Sequence, residues 1–159
     1  MIDMLVRLYE LPKVDAECEA LLGDGVTIRR VRSFEGHNLE HFIAANFSPK
    51  WVSEARVAMA RQPAACFIAT KDGVVIGFAC YDVTSRGFLG PMGVGEAARG
   101  LGLGKLLLVR ALEALHEMGH AYAIIGGVGP REFYEKTVGA IEIPGSTPGI
   151  YSDILPDPK

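Results

Sequence analysis

The stretch Ala98–Leu108, "ARGLGLGKLLL", runs one arginine and three alternating glycines straight into a leucine-rich, helix-forming segment. A glycine inside a helix costs about 1 kcal/mol relative to alanine. Three of them at a helix start therefore mean either a loose loop or a backbone that has to be bare. A bare backbone lets the unpaired N–H groups of the first helical turn approach a ligand, with the positive end of the helix dipole behind them. That combination suits an anion, and phosphate or pyrophosphate best of all.

The helix that follows is strongly patterned. Leu103, Leu107, Leu108, Ala111, Leu112, Ala114, Leu115 and Met118 fall on one face, while Lys105, Arg110, Glu113, His116 and Glu117 take the other. Gly119 is placed to end it as a left-handed cap. Two better-known phosphate loops do not fit its start. A Walker loop aligned on Gly104-Lys105 meets Arg99 where it needs glycine and Leu106 where it needs a hydroxyl, and no motif for Mg²⁺ accompanies it. That excludes a nucleotide-dependent phosphotransferase. The dinucleotide fingerprint is matched by Gly93, Gly95 and Ala98, but "AYAIIGG" (121–127) lacks the acidic residue expected at the end of the next strand.

Ahead of this helix, "CFIATKDGVVIGFAC" (66–80) sets two β-branched and aromatic runs around Asp72-Gly73, a strong hairpin signal. A two-residue turn places Thr70 opposite Val75 and Phe67 opposite Phe78. A third strand, "GFLGPMGV" (87–94), carries an internal Gly90-Pro91 that cannot sit in an unbroken ladder, which implies a bulge or divergence from a neighbour. "VTIRRVR" (26–32) alternates as a half-buried strand, and "MLVRLYEL" reads as an edge strand. Helical patterns lie within 38–47 and 50–62, the latter with Ser48 as cap and Pro49 in the first turn. The run 121–127 reads as a strand buried on both faces, parallel to the one before the helix. Residues 130–139 read as a short helix between proline and glycine, and "AIEI" as a last strand. The fold class is α/β with a mixed, mostly antiparallel sheet and helices on both faces.

Composition narrows the setting. With 159 residues and 49% hydrophobic content the chain supplies the core of one domain, 1–159, without metal or disulfide staples. A net charge of −3 argues against a phosphate-backbone binder, so nucleic acid is not expected as a partner. Cys18, Cys66 and Cys80 form no C-x-x-C pair and have no histidine at metal-ligand spacing, so they read as reduced thiols. The start "MIDMLVRLYELPK" lacks a signal-peptide pattern, and no apolar run approaches the roughly 18 residues of a membrane span. A cytoplasmic protein away from membranes is the expectation.

Four features occur in order: the "KDGVVIGF" hairpin, the "GPMGV" strand, "RGLGLGKLLL" with Arg99, Gly102 and Gly104 as R-x-x-G-x-G, and "FYEKTVGA" after a buried strand. On these, from about Val26 to Ile143, the sequence resembles the GNAT superfamily of acyl-CoA-dependent N-acyltransferases. The resemblance implies a sheet splayed between two parallel strands, where the pantetheine arm of acetyl-CoA enters. It implies that the backbones of Met92, Gly93 and Val94 pair with pantetheine. Pyrophosphate would rest on N–H groups of Arg99, Gly100, Leu101, Gly102, Leu103, Gly104 and Lys105, with no metal. It also implies that Tyr134 protonates the departing CoA thiolate and that a small-molecule primary amine attacks directly in a ternary complex. Homodimers are common in the superfamily.

The sequence departs from that pattern in two places. "FLGPMGV" carries no carboxylate where many members have a glutamate base, so a proton acceptor must come from elsewhere: Asp82, Glu35, His37, His41 or a water path. "GGVG" (126–129) stands where the superfamily often has asparagine, leaving only backbone for ligand contact there. Trp51 and Phe47 fall in the acceptor-binding region, as pocket or as core. A rival from another class is a non-catalytic acyl-CoA-binding regulatory module, which would keep the cleft and lack the base.

Overall fold

The computed structural model describes residues 1–159. Its strands are β1 (Met4–Arg7), β2 (Val26–Arg30), β3 (Cys66–Lys71), β4 (Val74–Tyr81), β5 (Phe88–Val94), β6 (Tyr122–Ile125) and β7 (Ile141–Glu142). Its helices are α1 (Asp15–Gly23), α2 (Gly36–Asn46), α3 (Pro49–Met59), α4 (Leu103–Glu117) and α5 (Arg131–Val138). One sheet runs in the order β2-β3-β4-β5-β6-β1-β7.

The central hairpin forms around Asp72 and Gly73, whose φ values of 52° and 75° make the doubly left-handed turn that matches strand twist. Thr70 faces Val75 as the turn predicts, but Phe67 faces Ala79, and Phe78 lies opposite Ile68. The reason is a bulge at Ile76, which has no partner in β3 and whose carbonyl instead accepts from Gly95 N at 2.9 Å. Gly90-Pro91 makes a second irregularity between β4 and β5, where Met92 pairs with Ala79 and Leu89 with Tyr81.

Alternation along β4 sorts the helices to the two faces. Gly77 lies under Leu107 of α4, while Phe78 meets Phe42, Phe47 and Trp51 of the α2–α3 side. Ser48 caps α3 by accepting from Trp51 N, as its position in the sequence suggests. The predicted face of α4 is buried, and Leu106 and Val109 are buried with it. Met118 is the exception: the helix stops at Glu117 and Met118 stands outside it, exposed.

Two further expectations are corrected, and one helix is unforeseen. The N-terminal strand is not an edge: β1 lies between β6 and β7, antiparallel to both, with Met4 and Val6 fully buried. The run 121–127 is not buried on both faces, because only Tyr122–Ile125 is strand and it alternates, with Tyr122 exposed between solvent and Tyr9. Residues 15–23 form α1, which no apolar stripe foretells. It buries no residue fully and is tied down by Glu17–Lys105 at 3.0 Å and Asp15–Arg110 at 2.9 Å. No helix is long and apolar enough to cross a membrane.

Candidate active site

The crossover through α4 sets β5 and β6 parallel, but they pair only at Phe88–Ile124 and Leu89–Ile125. Beyond Leu89 the strands part. The gap holds a cavity of about 450 Å³ walled by Leu89 to Met92 on one side and Ile125 to Pro130 on the other. Tyr134 from α5, Trp51 and Glu54 from α3, Thr84, Tyr151 and Met1 complete the wall. The edge of β5 from Gly90 to Val94 therefore faces the gap with no strand beside it, as the resemblance implies for Met92, Gly93 and Val94.

The glycine loop adjoins the end of that edge. Arg99 Nε donates to Val94 O at 3.4 Å, and a Cβ on Gly104 would stand 3.6 Å from Phe133, the neighbour of Tyr134. Gly100 and Gly102 have φ of 87° and 79°, with nothing near the place a Cβ would occupy. They are glycine for their backbone conformation, not to make room for another part of the chain. The N–H groups of Gly100, Leu101, Gly102, Leu103, Gly104 and Lys105 donate to no carbonyl and no side chain, and Gly102 offers no side-chain cap. Six consecutive donors at the positive end of a fifteen-residue helix form a cradle that fits a pyrophosphate. The Lys105 ammonium is already paired with Glu17, so its backbone is the free part.

Tyr134 is 8% exposed, packed edge-on to Phe133 at 5.0 Å, and its hydroxyl reaches the cavity without a hydrogen-bond partner in the chain. Burial pushes its phenol above the ordinary value. It thus stays protonated at neutral pH, the state a general acid needs.

The base candidates suggested by sequence do not line this cavity. Asp82 is buried against Arg61 at 2.6 Å and accepts from Gly87 N at 2.6 Å; burial raises its carboxyl, but those two partners outweigh it and hold it low. It staples the β4–β5 loop. Glu35 is clamped by Arg29 at 2.7 and 2.8 Å and by Arg32 N. His37 and His41 border a separate depression beside the hairpin tip. The "GGVG" backbone is partly spent, since Gly127 N donates to Asp3 and Val128 N to Ile2 O. Gly93 has a second reason to be glycine, because the Phe47 ring lies where its Cβ would be. The cavity contributes Glu54, Thr84 and Tyr151 instead. Glu54 follows Trp51 by one helical turn, a spacing visible in the sequence; nothing in the sequence singles out Tyr151.

A sequence profile described as the Acetyltransferase (GNAT) family matches residues 31–140, spanning β3 to α5 and the glycine loop. The chain belongs to the GNAT acetyltransferase family. The fold agrees. A fungal multi-domain GH3 β-N-acetylglucosaminidase with a GCN5-related glucosamine N-acetyltransferase region superposes at TM-score 0.73 and 17% identity, over 89% of this chain and 19% of that one. A GCN5-related N-acetyltransferase from Sphaerobacter thermophilus gives 0.69 and 18%, over 89% and 48%. A GNAT family acetyltransferase from Brucella melitensis in complex with acetyl-CoA gives 0.51 and 24%, over 68% and 80%. The chain thus spans about half of the Sphaerobacter protein and a fifth of the fungal one. No curated protein sequence matches it. No cluster of histidine, cysteine and carboxylate side chains in the GNAT fold of this chain is placed to hold a metal.

Proposed function

We propose that this chain moves an acetyl group from acetyl-CoA to a primary amine of a small molecule, by direct attack within a ternary complex. The observation that carries the reading is the run of free N–H groups from Gly100 to Lys105, set just past the end of β5, where Arg99 Nε donates to Val94 O. Those donors would hold the pyrophosphate, and the bare edge of β5 at Met92, Gly93 and Val94 would hold the pantetheine arm as a neighbouring strand would. The bound thioester supplies an activated acetyl group. The chain's own part is positioning, exclusion of water, and a proton from the Tyr134 hydroxyl for the departing sulfur. Cys66 and Cys80 are fully buried, facing each other across β3 and β4, and serve as core rather than as nucleophiles. Their free thiols accord with a reducing cytoplasm.

Binding and turnover test the reading separately. At ligand one hundred times Kd, acetyl-CoA should stabilise the fold by about 2.7 kcal/mol, a melting shift of roughly 5 to 10 °C. No shift with either acetyl-CoA or CoA would sink the assignment. Amine-dependent CoA release across a panel of primary amines then separates an acetyltransferase from a module that only binds.

A further inference from the structure

The wall of the β5–β6 cavity contains one carboxyl side chain, that of Glu54. No lysine or arginine lines the space. Its surroundings are apolar and aromatic: Trp51 one turn before it on α3, Leu89, Met92, Ile125 and Val128. Trp51 is stacked on Phe47 at 5.0 Å and packed edge-on against Phe78 at 6.1 Å, which fixes the indole beside the carboxylate. Thr84 Oγ1 donates to one Glu54 oxygen, orienting the group and leaving its other oxygen free for a ligand. Asp3, bonded to Gly127 N, adds a second negative charge near the same wall.

Taking the acetyl-transfer reading as its basis, we infer that Glu54 binds the ammonium of the acceptor and accepts its proton, and that the acceptor is a primary amine with an apolar or aromatic body and no anionic group. A half-buried carboxylate beside an indole attracts a cation twice, by charge and through the ring face. With no basic side chain in the wall, a carboxylate or phosphate on the acceptor would be desolvated against negative charge. In the reaction Glu54 takes one proton from the ammonium and returns it to solvent. The freed nitrogen forms the C–N bond at the thioester carbonyl, the C–S bond breaks, and Tyr134 gives its proton to the sulfur. The second proton leaving nitrogen restores the Tyr134 phenol through water. The charged and titratable groups around Glu54 are the phenols of Tyr134 and Tyr151, the Cys80 thiol, Asp3, the α-amino group of Met1, which also lines the cavity, and, one turn back on α3, Lys50, which is paired with Asp157.

Trp51 is the single tryptophan of the chain, so its fluorescence reads occupancy of this cavity directly. The probes are 2-phenylethylamine, its neutral analogue 2-phenylethanol, and phenylalanine, with CoA present throughout. The wild type should bind 2-phenylethylamine more tightly than phenylalanine. Glu54→Gln should weaken the amine roughly 10- to 100-fold while leaving the alcohol unchanged. Turnover by Glu54→Gln should rise with pH later than that of the wild type, since only amine already free in solution then reacts, and Glu54→Asp should recover part of the loss. Equal amine affinity in wild type and Glu54→Gln, or no Trp51 response to the amine, would overturn the inference. A wild type that binds the amine through Glu54 yet releases no CoA with any amine would overturn acetyl transfer, and the proton step with it, and leave the ammonium site standing.

Discussion

β5 has two unlike edges. On one side it is paired with β4 from Leu89 to Val94, and one face beside that seam is covered by the ring of Phe47, which lies over Gly93. On the other it leaves β6 after Leu89 and faces a cavity lined by Tyr134 and the Gly126–Pro130 backbone. Glycines stand at both places for opposite reasons. Gly93 gives up its side chain to a neighbouring ring, whereas Gly100 and Gly102 have nothing near them and offer their backbone. Packing is concentrated on the closed side and the proposed chemistry lies along the open edge, so changes at the two should register in different measurements.

The largest expected effect lies on the open edge. Tyr134→Phe should lower kcat by about 10²- to 10⁴-fold with little change in acetyl-CoA affinity or melting temperature. Because the Tyr134 phenol is raised by burial, loss of the acid at high pH should set in above the ordinary phenol value of about 10. A kcat within twofold of wild type would remove Tyr134 from the chemistry. On the closed edge, Gly93→Ala should destabilise the fold by about 1 to 3 kcal/mol, since its Cβ overlaps the Phe47 ring. Combining it with Phe47→Ala should recover part of that loss in denaturant melts, and simple additivity would break the packing argument.

A third, smaller effect lies away from both edges. Glu35 is held at a pKa of about 2 first by its hydrogen bonds from Arg29, a value below the ordinary glutamate, and its side chain is 18% exposed. A lowered folded value contributes stability that is complete above about pH 4.3 and is lost as pH falls towards 2. Glu35→Gln should therefore cost about 1 to 2 kcal/mol at neutral pH and nothing near pH 2, read by melts across that range. The smallest change is Gly102→Ala. It meets no neighbour, and its left-handed backbone should cost about 1 kcal/mol, while acetyl-CoA binding weakens by more than Lys105→Ala weakens it. The reverse order would place the affinity in the lysine side chain.

What could be read from the sequence divides along local and distant lines. The hairpin turn, the Ser48 cap, the face of α4 and the parting at Gly90-Pro91 all depend on residues close together in the chain, where propensity and spacing act directly. The place of β1 depends on partners at Tyr122–Ile125 and Ile141–Glu142, which no local pattern records. The bulge at Ile76 shifts a register the turn alone would set, and no local pattern records it. In the site, the run of free N–H groups was legible because glycine and helix start are adjacent. Glu54 was hidden because it is a glutamate on an ordinary helix until tertiary packing sets it beside Tyr134 and Thr84.

The position of β1 also bears on how the molecule is assembled. Met4 must find Ile125 and Glu142, partners that lie on the far side of α4 in the sequence. The β2-β3-β4 meander and α4 can form from neighbouring segments. The wall of the gap that β6 provides is finished only when β1 threads between β6 and β7. Folding rate should accordingly respond more to substitutions at Met4 or Val6 than to changes in the hairpin turn, and a nascent chain arrested before residue 122 should carry a folded hairpin and no cleft.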